Sequence, residues 1–365
     1  MRKILLSLFL LLITLSASAI SARRGAYRML RLADGTEVRA QLCGDEHIHY
    51  YRADDGTCYT RRADGIYVVA DMDVLRAKSH SRRAPLTKRQ ERRVRSRVSG
   101  LKPSYGFLSD GIYGKKKGLI ILVQFQDLKF RSGHDKAFYS KVANQENLTE
   151  GDFVGSVHDY FHDQSNGQFD LTFDVVGPVT LSNGYAYYGQ NTDDDEDAHA
   201  GAMVAEACQA VKDQVDWSSY DWDGDGEADQ VFCIYAGYSE ADDMGDDYVW
   251  PHMYYLSAGD YGSSLNMNGT VVDTYACSNE MSEQDKMSGI GAICHEFSHC
   301  LGFPDVYDTD TGNGYAMGYF WDLMDGGDRN GDSFCPAGYS GIEKWIAGWA
   351  EPVVLDADTE VRDWK

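Results

Sequence analysis

The first part of the chain contains short runs in which apolar and polar residues alternate. Between residues 33 and 71 these runs are separated by three Asp-Gly pairs. Such pairs are typical of β-hairpins, because glycine accepts the positive φ angle that a tight turn requires. The pattern predicts a small β-rich N-terminal domain over residues 20–75. The three pairs are Asp34-Gly35, Asp55-Gly56 and Asp64-Gly65.

Further along the chain the pattern changes to continuous apolar runs and amphipathic segments. Residues 118–125 read GLIILVQF, an apolar run whose length suits a buried strand. Alternating helices and strands of this kind predict a mixed α/β sheet within residues 103–365. The other predicted elements are a helical pattern ending near residue 164, strands at 171–181 and 231–237, and a helix near 198–213.

The extreme N-terminus has the pattern of an export signal. Arg2 and Lys3 precede an apolar run over residues 4–15, and small residues follow at 17–19. This order is typical of a signal peptide, which we assign to residues 1–19. The mature protein is therefore expected to be secreted, or to stay at the cell surface or in the periplasm. No other stretch approaches the roughly 18 apolar residues of a membrane-spanning helix, so no transmembrane span is expected.

Export also changes the interpretation of the eight cysteines. Outside the cytosol an even number of cysteines permits disulfides. Cys43 and Cys58 lie in the same predicted β-rich domain, which makes them one candidate pair. The sequence does not choose among the possible connectivities.

Charge is distributed unevenly along the chain, whose formal net charge is −23. An acidic surface repels the phosphates of nucleic acids and of anionic lipids, so neither is an expected partner. Residues 76–102 carry 11 basic residues and one acidic residue, whereas residues 103–365 carry 13 basic and 47 acidic residues. The basic block has few apolar side chains and is expected to be a linker. It is either a solvated helix or tether, or a protease-sensitive connector that lies against the acidic domain.

The linker and the N-terminal domain together predict a zymogen. Attraction between the basic connector and the acidic domain can hold residues 20–75 across a cleft until the connector is cut. Cys43 as a thiolate, or Asp45 as a carboxylate, could then bind a metal ion held in such a cleft. The plainer interpretation is that Cys43 pairs with Cys58 and that Asp45 belongs to a turn.

The segment GIGAICHEFSHCLGFPDVYD carries the candidate catalytic chemistry. His295 and His299 are four residues apart, so on a helix both imidazoles project from one face toward one metal ion. Glu296 lies beside them, where it can take a proton from a water at the metal and give it to the leaving amine. Gly302 can end the helix in a left-handed conformation, which returns Asp305 as a third ligand. This set predicts a catalytic zinc site.

Other residues compete for the metal. His158 and His162 are also four residues apart, but no base and third ligand accompany them at suitable spacing. Glu343 would be the third ligand in a zinc site of the glutamate type. Asp305 is preferred because a local turn sets its spacing and three protein ligands suffice. His252 has no partner at ligand spacing and is expected to be a packed histidine.

The motif HEFSHCLGFPDVYD resembles the metzincin zinc signature HExxHxxGxxD, and is close to that of the immune inhibitor A-type secreted bacterial metalloproteases. The segments SVHDYFHDQSNGQFDLTFDVVGPVTL, DWDGDGEADQVF, YAGYSE, YFWDLMDGG and CPAGYSGIEKW agree with the same family. The resemblance covers about residues 118–349 and implies a zincin-like α/β domain with a mixed sheet, an active-site helix and a Met-turn. It implies that Met324 is the Met-turn residue, an apolar floor beneath the ligands. Asp325, which follows it, departs from many metzincins, and the end of the chain soon after Trp349 suggests a short member.

A second acidic cluster lies in the sequence DWDGDGEAD. It places four carboxylates close together and a glycine, Gly226, at the position of a sharp turn. The carboxylates would repel one another without a cation, so a structural calcium site is favoured over an acidic surface turn. The loop differs from an EF-hand because its twelfth position is Phe232. The candidate ligands are Asp221, Asp223, Asp225, Asp229 and the backbone carbonyl of Glu227.

Together these patterns predict a secreted zinc endopeptidase acting on protein or peptide substrates. Glu296 is the expected catalytic base, and Tyr339 is a candidate for stabilising the oxyanion. The alternative is a noncatalytic surface binding protein or adhesin that retains a protease scaffold. The intact base argues against this alternative, since binding alone has no need for Glu296.

Overall fold

The computed structural model describes residues 18–62, 64–82, 112–192, 196–283, 286–309 and 320–351. Most of the predicted signal peptide and most of the basic linker therefore lie outside the described residues. The described residues form a six-stranded sheet with helices on both faces, and a separate five-stranded sheet built from the N-terminal part of the chain.

Strands dominate the N-terminal part, and strands and helices alternate after it. The strands are β1 (Ser18–Ala19), β2 (Tyr27–Arg31), β3 (Glu37–Gly44), β4 (His49–Ala53), β5 (Cys58–Arg61), β6 (Tyr67–Val69), β7 (Gly114–Gln124), β8 (Phe169–Thr180), β9 (Val231–Tyr235), β10 (His252–Tyr255), β11 (Leu265–Met267), β12 (Thr270–Val272), β13 (Thr274–Asn279), β14 (Met281–Glu283) and β15 (Lys286–Met287). The α-helices are α1 (Met72–Arg82), α2 (Lys136–Asn144), α3 (Val157–Gln164), α4 (Tyr185–Gly189), α5 (Ala200–Val211), α6 (Gly291–Leu301) and α7 (Gly341–Ile346). Short 3-10 helices occur at Trp217–Tyr220, Glu240–Asp242 and Gly327–Arg329. None of these helices is long and apolar enough to cross a membrane.

The N-terminal sheet is an antiparallel meander in which β2 to β6 pair in chain order. The hairpins predicted at the three Asp-Gly pairs are present. Gly35, Gly56 and Gly65 have φ angles of 84°, 87° and 81°, which is the conformation that these turns require of glycine.

The larger sheet is mixed, as the sequence predicts, with the strand order β1-β10-β13-β9-β7-β8. Four of its strands are mutually parallel, namely β13, β9, β7 and β8. At one edge of the sheet, β10 pairs antiparallel with β13, and β1 pairs antiparallel with β10. The predicted strands at 118–125, 171–181 and 231–237 correspond to β7, β8 and β9. Strand β1, from the N-terminus of the chain, thus extends the sheet at its antiparallel edge.

The apolar run in β7 is buried on both faces. Ile120 and Leu122 face a core that includes Phe297 of helix α6. Leu119 and Ile121 face the opposite core, which includes helix α5. Successive side chains of a strand point to opposite faces, so only a continuous apolar run suits a strand covered on both sides.

The N-terminal sheet packs on the larger unit through apolar and charged contacts. Tyr51 lies in one apolar cluster with Trp250, and its hydroxyl donates to Asp243 Oδ1 at 2.9 Å. Arg28 forms ion pairs with Asp243 and with Asp246, at 2.5 and 2.9 Å. An arginine of the sheet itself is thus attracted to an acidic segment of the larger unit, whereas most of the linker, for which such an attraction is predicted, lies outside the described residues.

Helix α1 includes the first residues of the predicted linker. It continues to Arg82, so residues 76–82 are helical. Asp71 stabilises the first turn by accepting the backbone N–H groups of Asp73 and Val74. An ion pair between Arg76 and Asp73 adds a contact of the kind that neighbours on a helix make.

The candidate disulfide between Cys43 and Cys58 is wrong, because both thiols are free. The two residues lie on β3 and β5, and β4 runs between these strands. Adjacent strands are about 4.8 Å apart, so strands on either side of a third lie about 10 Å apart, beyond the reach of a disulfide. The other six cysteines are free as well.

Candidate active site

Helix α6 carries the two histidines of the predicted motif and ends where the sequence predicts. Gly302 has a φ of 98°, a left-handed conformation that glycine adopts without strain. Near the start of the helix, Gly291 packs against the backbone of Asp328 so closely that a β-carbon would lie 1.8 Å from the carbonyl oxygen. Helix α6 is thereby fixed against the 3-10 helix Gly327–Arg329.

The structure brings together His295, His299 and Asp305, which we call the ligand triad. Asp305 Oδ1 lies 3.1 Å from His295 Nε2 and 3.4 Å from His299 Nε2. The other imidazole nitrogen of each ring, Nδ1, donates to a backbone carbonyl: His295 to Leu323 at 2.8 Å, and His299 to Phe303 at 2.7 Å. A carbonyl only accepts, so these bonds hold the proton on Nδ1 and leave each Nε2 available to a metal.

The donor set of the triad fits a metal ion. One ligand atom from each of the three residues lies within 4.8 Å of the others, and His299 Nε2 and Asp305 Oδ2 are buried without a hydrogen-bond partner. Buried polar atoms without partners are unfavourable, and a set of two imidazoles and one carboxylate is typical of catalytic zinc. Burial by itself would raise the pKa of Asp305, but the two histidines lower it well below its usual value. The carboxylate is thus held in the ionised form that a metal ligand requires.

Glu296 is fully buried beside the triad. Its Oε1 accepts a hydrogen bond from the backbone N–H of Ile20 at 2.7 Å, and its Oε2 has no partner. Burial raises the pKa of Glu296 well above its usual value, and the carboxylates of Glu46 and Asp305 raise it further. A carboxyl group with a raised pKa can both take up and release a proton, as general acid–base catalysis requires.

Residues 18–23 cover this site, which the sequence analysis did not predict. Strand β1 pairs with β10, and the carbonyl of Ile20 accepts a hydrogen bond from Trp250 Nε1 at 2.8 Å. The carbonyl of Ser21 accepts one from Arg329 Nη2 at 3.0 Å. The partners are 230 and 308 residues apart in sequence, so no local pattern indicates these contacts.

The competing histidines and Glu343 do not join the triad. Nδ1 of His158 and Nδ1 of His252 each bond a backbone carbonyl, at 2.8 and 2.6 Å, and His162 stacks on His158. Burial lowers the pKa of His252 to about 4, so it is a neutral packed histidine, as expected. Glu343 caps the N-terminus of α7 through hydrogen bonds with Ser340.

The two N-terminal candidates for blocking the metal have other contacts. Asp45 Oδ1 accepts the backbone N–H groups of His47 and Ile48, so Asp45 belongs to a turn, as the plainer interpretation holds. Cys43 packs against Ile48, and burial raises its pKa to about 11, which keeps it a thiol. Glu296 instead accepts a hydrogen bond from the backbone of Ile20.

Residues 107–347 match the family described as Immune inhibitor A peptidase M6, catalytic domain. The chain belongs to this family. Over 297 residues it is 28% identical to Immune inhibitor A of Bacillus thuringiensis subsp. alesti, which covers 68% of this chain and 42% of the relative. Over 251 residues it is 29% identical to Pre-pro-metalloprotease PrtV of Vibrio cholerae serotype O1 (strain M66-2), which covers 58% of this chain and 27% of the relative. The chain thus spans less than half the length of the curated relatives it matches.

The resemblance predicted from the HExxHxxGxxD motif is therefore confirmed. The matched range of the immune inhibitor A peptidase family includes helix α6, the ligand triad and the acidic loop DWDGDGEAD. Membership in this metallopeptidase family implies a metal, and the triad is the His-containing cluster that the described residues offer for it.

In this immune inhibitor A peptidase domain, Met324 lies beside the triad. Its side chain is fully buried, and its carbonyl accepts the N–H of Val306 at 3.0 Å. The preceding Leu323 provides the carbonyl that orients His295. Asp322 Oδ1 accepts the N–H of Met324 at 2.9 Å and tightens this turn. The turn is thus joined through its backbone to the ring of His295 and to Val306, the residue after Asp305.

Tyr339 makes packing contacts. Its hydroxyl bonds Ser298 Oγ at 2.5 Å, and its ring stacks on Phe303 with the centroids 4.5 Å apart. Burial raises the pKa of the Tyr339 hydroxyl well above its usual value. These contacts tie the segment before α7 to helix α6. They do not involve Glu296, so the oxyanion role of Tyr339 stays a prediction.

The acidic loop brings three of its carboxylates together. Asp221, Asp223 and Asp225 each offer an oxygen within 4.8 Å of the others. Asp229 is nearly buried, and one of its oxygens accepts a backbone N–H of the same loop at 2.5 Å. Glu227 forms a backbone bridge with strand β12. The cluster that the structure forms is thus smaller than the predicted set of five ligands.

Proposed function

We propose that the protein is an exported zinc-dependent endopeptidase that hydrolyses peptide bonds of proteins. The observation that carries this proposal is the pair of buried, unpartnered atoms His299 Nε2 and Asp305 Oδ2 beside the carboxylate of Glu296. A zinc ion bound by the triad supplies Lewis acidity and lowers the pKa of a coordinated water. A surface binding protein or adhesin with a retained scaffold has no need for a buried carboxylate at Glu296, so this alternative explains the site less well.

Glu296 is the residue that moves the proton. It takes a proton from the attacking water and gives it to the nitrogen that leaves when the peptide bond breaks. The 2.7 Å contact between its Oε1 and the N–H of Ile20 supports this role, because proton transfer to an amine requires a contact of the same length. His295 and His299 need no reorientation, since backbone carbonyls already fix their rings.

We assign the domain to the metzincin type within the zincins. The support for this assignment is Met324, which is buried and directly follows Leu323, the residue whose carbonyl orients His295. The methionine provides an apolar, polarisable surface that packs against irregular neighbours. In this proposal its role is to support the ligand triad.

We infer that residues 20–75 are a propeptide, that residues 76–102 form the connector whose cleavage activates the enzyme, and that residues 103–365 are the catalytic domain. The support is the hydrogen bond from Ile20 to Glu296, together with the ion pairs of Arg28 that hold the N-terminal sheet in place. The Vibrio relative is named a pre-pro-metalloprotease, which fits a precursor organisation. Residues 1–19 would be removed on export.

Replacing Asp305 by Ala is expected to weaken zinc binding by about 100-fold or more, since losing even an outer partner of a ligand weakens binding 10- to 100-fold. The side chain of Asp305 is 2% exposed, so the change removes a ligand oxygen from a buried position. The measurement is zinc content after dialysis against graded chelator, together with cleavage of a denatured protein before and after the chelator is added.

Two variants make this result specific. Glu343→Gln removes the charge of the rival ligand and is expected to keep zinc. Asp163→Ala removes a carboxylate whose side chain is 79% exposed, and is expected to behave as wild type. Unchanged zinc content in Asp305→Ala, with loss in Glu343→Gln, would move the third ligand to Glu343.

We propose that the acidic loop binds calcium in a structural role. Oxygens of Asp221, Asp223 and Asp225 within 4.8 Å of one another are the kind of hard ligand set that calcium prefers. The loop lies just before β9, a central strand of the larger sheet. A calcium ion that neutralises these carboxylates would therefore stabilise the loop that leads into this strand.

Calcium is expected to raise the melting temperature of the zinc-loaded protein by about 5 °C at saturation, because an ion that binds only the native state stabilises it by mass action. The measurement is a thermal melt with calcium varied at fixed zinc. Asp223→Asn is expected to abolish the shift, and Asp163→Asn to retain it. Equal midpoints with and without calcium in the wild type would leave the loop an acidic turn.

A further inference from the structure

The segment that covers the active site runs in the direction of an extended peptide bound to a sheet edge. Ser18 and Ala19 of β1 pair antiparallel with β10, although export would remove them with the signal peptide. The chain continues in the same direction through Ile20 and Ser21, whose carbonyls accept hydrogen bonds from Trp250 and Arg329. Peptides that add a strand to a sheet edge are held by main-chain hydrogen bonds, and pockets for their side chains give specificity. The residues that follow β1 therefore indicate which pockets a substrate would meet.

The contact with Glu296 sets the register of this segment. In the proposed reaction Glu296 gives a proton to the leaving nitrogen, which belongs to the first residue after the cleaved bond. The backbone N–H of Ile20 is the group within 2.7 Å of Glu296 Oε1. Ile20 thus has the place of the first residue after the cleaved bond. Arg23, three residues further on, has the place of the fourth.

The side chain of Arg23 lies among three carboxylates. Its guanidinium forms an ion pair with Glu283, and its nitrogens lie 3.6 Å from Asp332 Oδ1 and 4.0 Å from Asp242 Oδ1. Its backbone N–H donates to the carbonyl of Ala241 at 2.8 Å. The side chain is 24% exposed, and an adjoining cavity of about 220 Å³ leaves room for a long basic side chain. Both the main chain and the guanidinium group of Arg23 are therefore held by the larger unit.

The carboxylates around Arg23 are only partly balanced by other cations. Asp242, whose side chain is 2% exposed, also pairs with Arg329. Asp332 also pairs with Lys286 at 2.6 Å. Arg329 is shared with Asp328, so Arg329 and Lys286 together leave net negative charge around the fourth position. Glu283 and Asp332 are about half exposed, whereas Asp242 is buried, and a buried charge attracts more strongly than a charge in bulk water.

We propose that Asp242, Glu283 and Asp332 form a substrate subsite that selects Arg or Lys at the fourth residue after the cleaved bond. The inference rests on the proposed peptidase function and adds the substrate preference. In the covered form Arg23 occupies the subsite. In the open form the basic residue of a substrate takes its place and neutralises the same charge.

The test uses the full chain after cleavage within the basic linker, and two quenched fluorescent peptides that differ only at the fourth residue after the cleaved bond. The peptide with Arg is expected to have a kcat/KM about tenfold above that of the peptide with Glu at low salt. The double variant Glu283→Gln, Asp332→Asn is expected to reduce this ratio to about twofold. Glu150→Gln, a control whose side chain is 66% exposed, is expected to keep the ratio.

The possible results separate the subsite from the proposed function. Cleavage of both peptides at equal rates overturns the subsite and leaves the peptidase function intact. A high ratio that the double variant does not change also overturns it, because the selectivity then arises elsewhere. The proposed function is overturned if the wild type cleaves neither peptide and is thus no more active than Glu296→Gln.

A melting experiment on the uncut chain tests the same contact without catalysis. Arg23→Glu is expected to lower the melting temperature by about 3 °C, since it places a fourth negative charge in the subsite. Combining it with Glu283→Arg is expected to restore at least half of this loss, because the ion pair is re-formed with the charges exchanged. Absence of any such rescue would show that the carboxylates do not recognise charge at this position.

Discussion

Replacing Glu296 by Gln is expected to lower kcat/KM for peptide hydrolysis by about 10³-fold while zinc stays bound, since a positioned general base contributes in this range. Glutamine keeps the shape of the side chain and loses its basicity. The ligand triad does not depend on Glu296, because backbone carbonyls orient His295 and His299. The measurements are cleavage of a denatured protein and zinc content of the same preparation.

The control for this change is Glu150→Gln, which makes the same chemical substitution at a side chain that is 66% exposed and pairs with Lys141. It is expected to be as active as wild type. Digestion at near wild-type rate by Glu296→Gln, with zinc present, would remove Glu296 from the mechanism. Loss of zinc together with activity would instead point to a structural role.

Cutting the chain within residues 83–102 is expected to raise its activity by about tenfold or more, which corresponds to about 1.4 kcal/mol of inhibition removed. The uncut N-terminal part covers Glu296 through Ile20, and Arg28 holds it in place through Asp243 and Asp246. A cut connector lets this part dissociate. The measurement is the activity of uncut and cut protein at low salt and at high salt, where screening is expected to reduce the difference.

A charge reversal on the N-terminal sheet tests the same point without cleavage. Arg28→Glu is expected to raise the activity of the uncut chain, because it repels Asp243 and Asp246 instead of attracting them. Arg39→Glu is the matched control, since Arg39 is 54% exposed and pairs with Asp54 of the same sheet. If cut and uncut wild-type protein are equally active at low salt, the N-terminal domain is a folding aid or an accessory module and not an inhibitor.

Local patterns in the sequence determined the parts of this protein that depend on neighbouring residues. The spacing of His295 and His299, the helix end at Gly302 and the return of Asp305 all follow from the period of one helix and one turn. The same holds for the hairpins at the Asp-Gly pairs and for the apolar strand β7. These features were predictable because each depends on contacts within a short stretch of chain.

Tertiary structure alone decided what lies over Glu296 and the ligand triad. Ile20 and Glu296 are 276 residues apart in sequence, and they meet because the segment that begins at Ile20 lies against the larger sheet, where Trp250 holds the Ile20 carbonyl. Local patterns instead offered Cys43 or Asp45 as blocking groups, with a Cys43–Cys58 disulfide and an Asp45 turn as the plainer alternative. The turn is present, and the strand order keeps the two cysteines apart. Hydrophobic periodicity reports which face of an element is buried and not which distant element covers it. Contacts across the cleft, including the carboxylates around Arg23, therefore become visible only when the sheets are assembled.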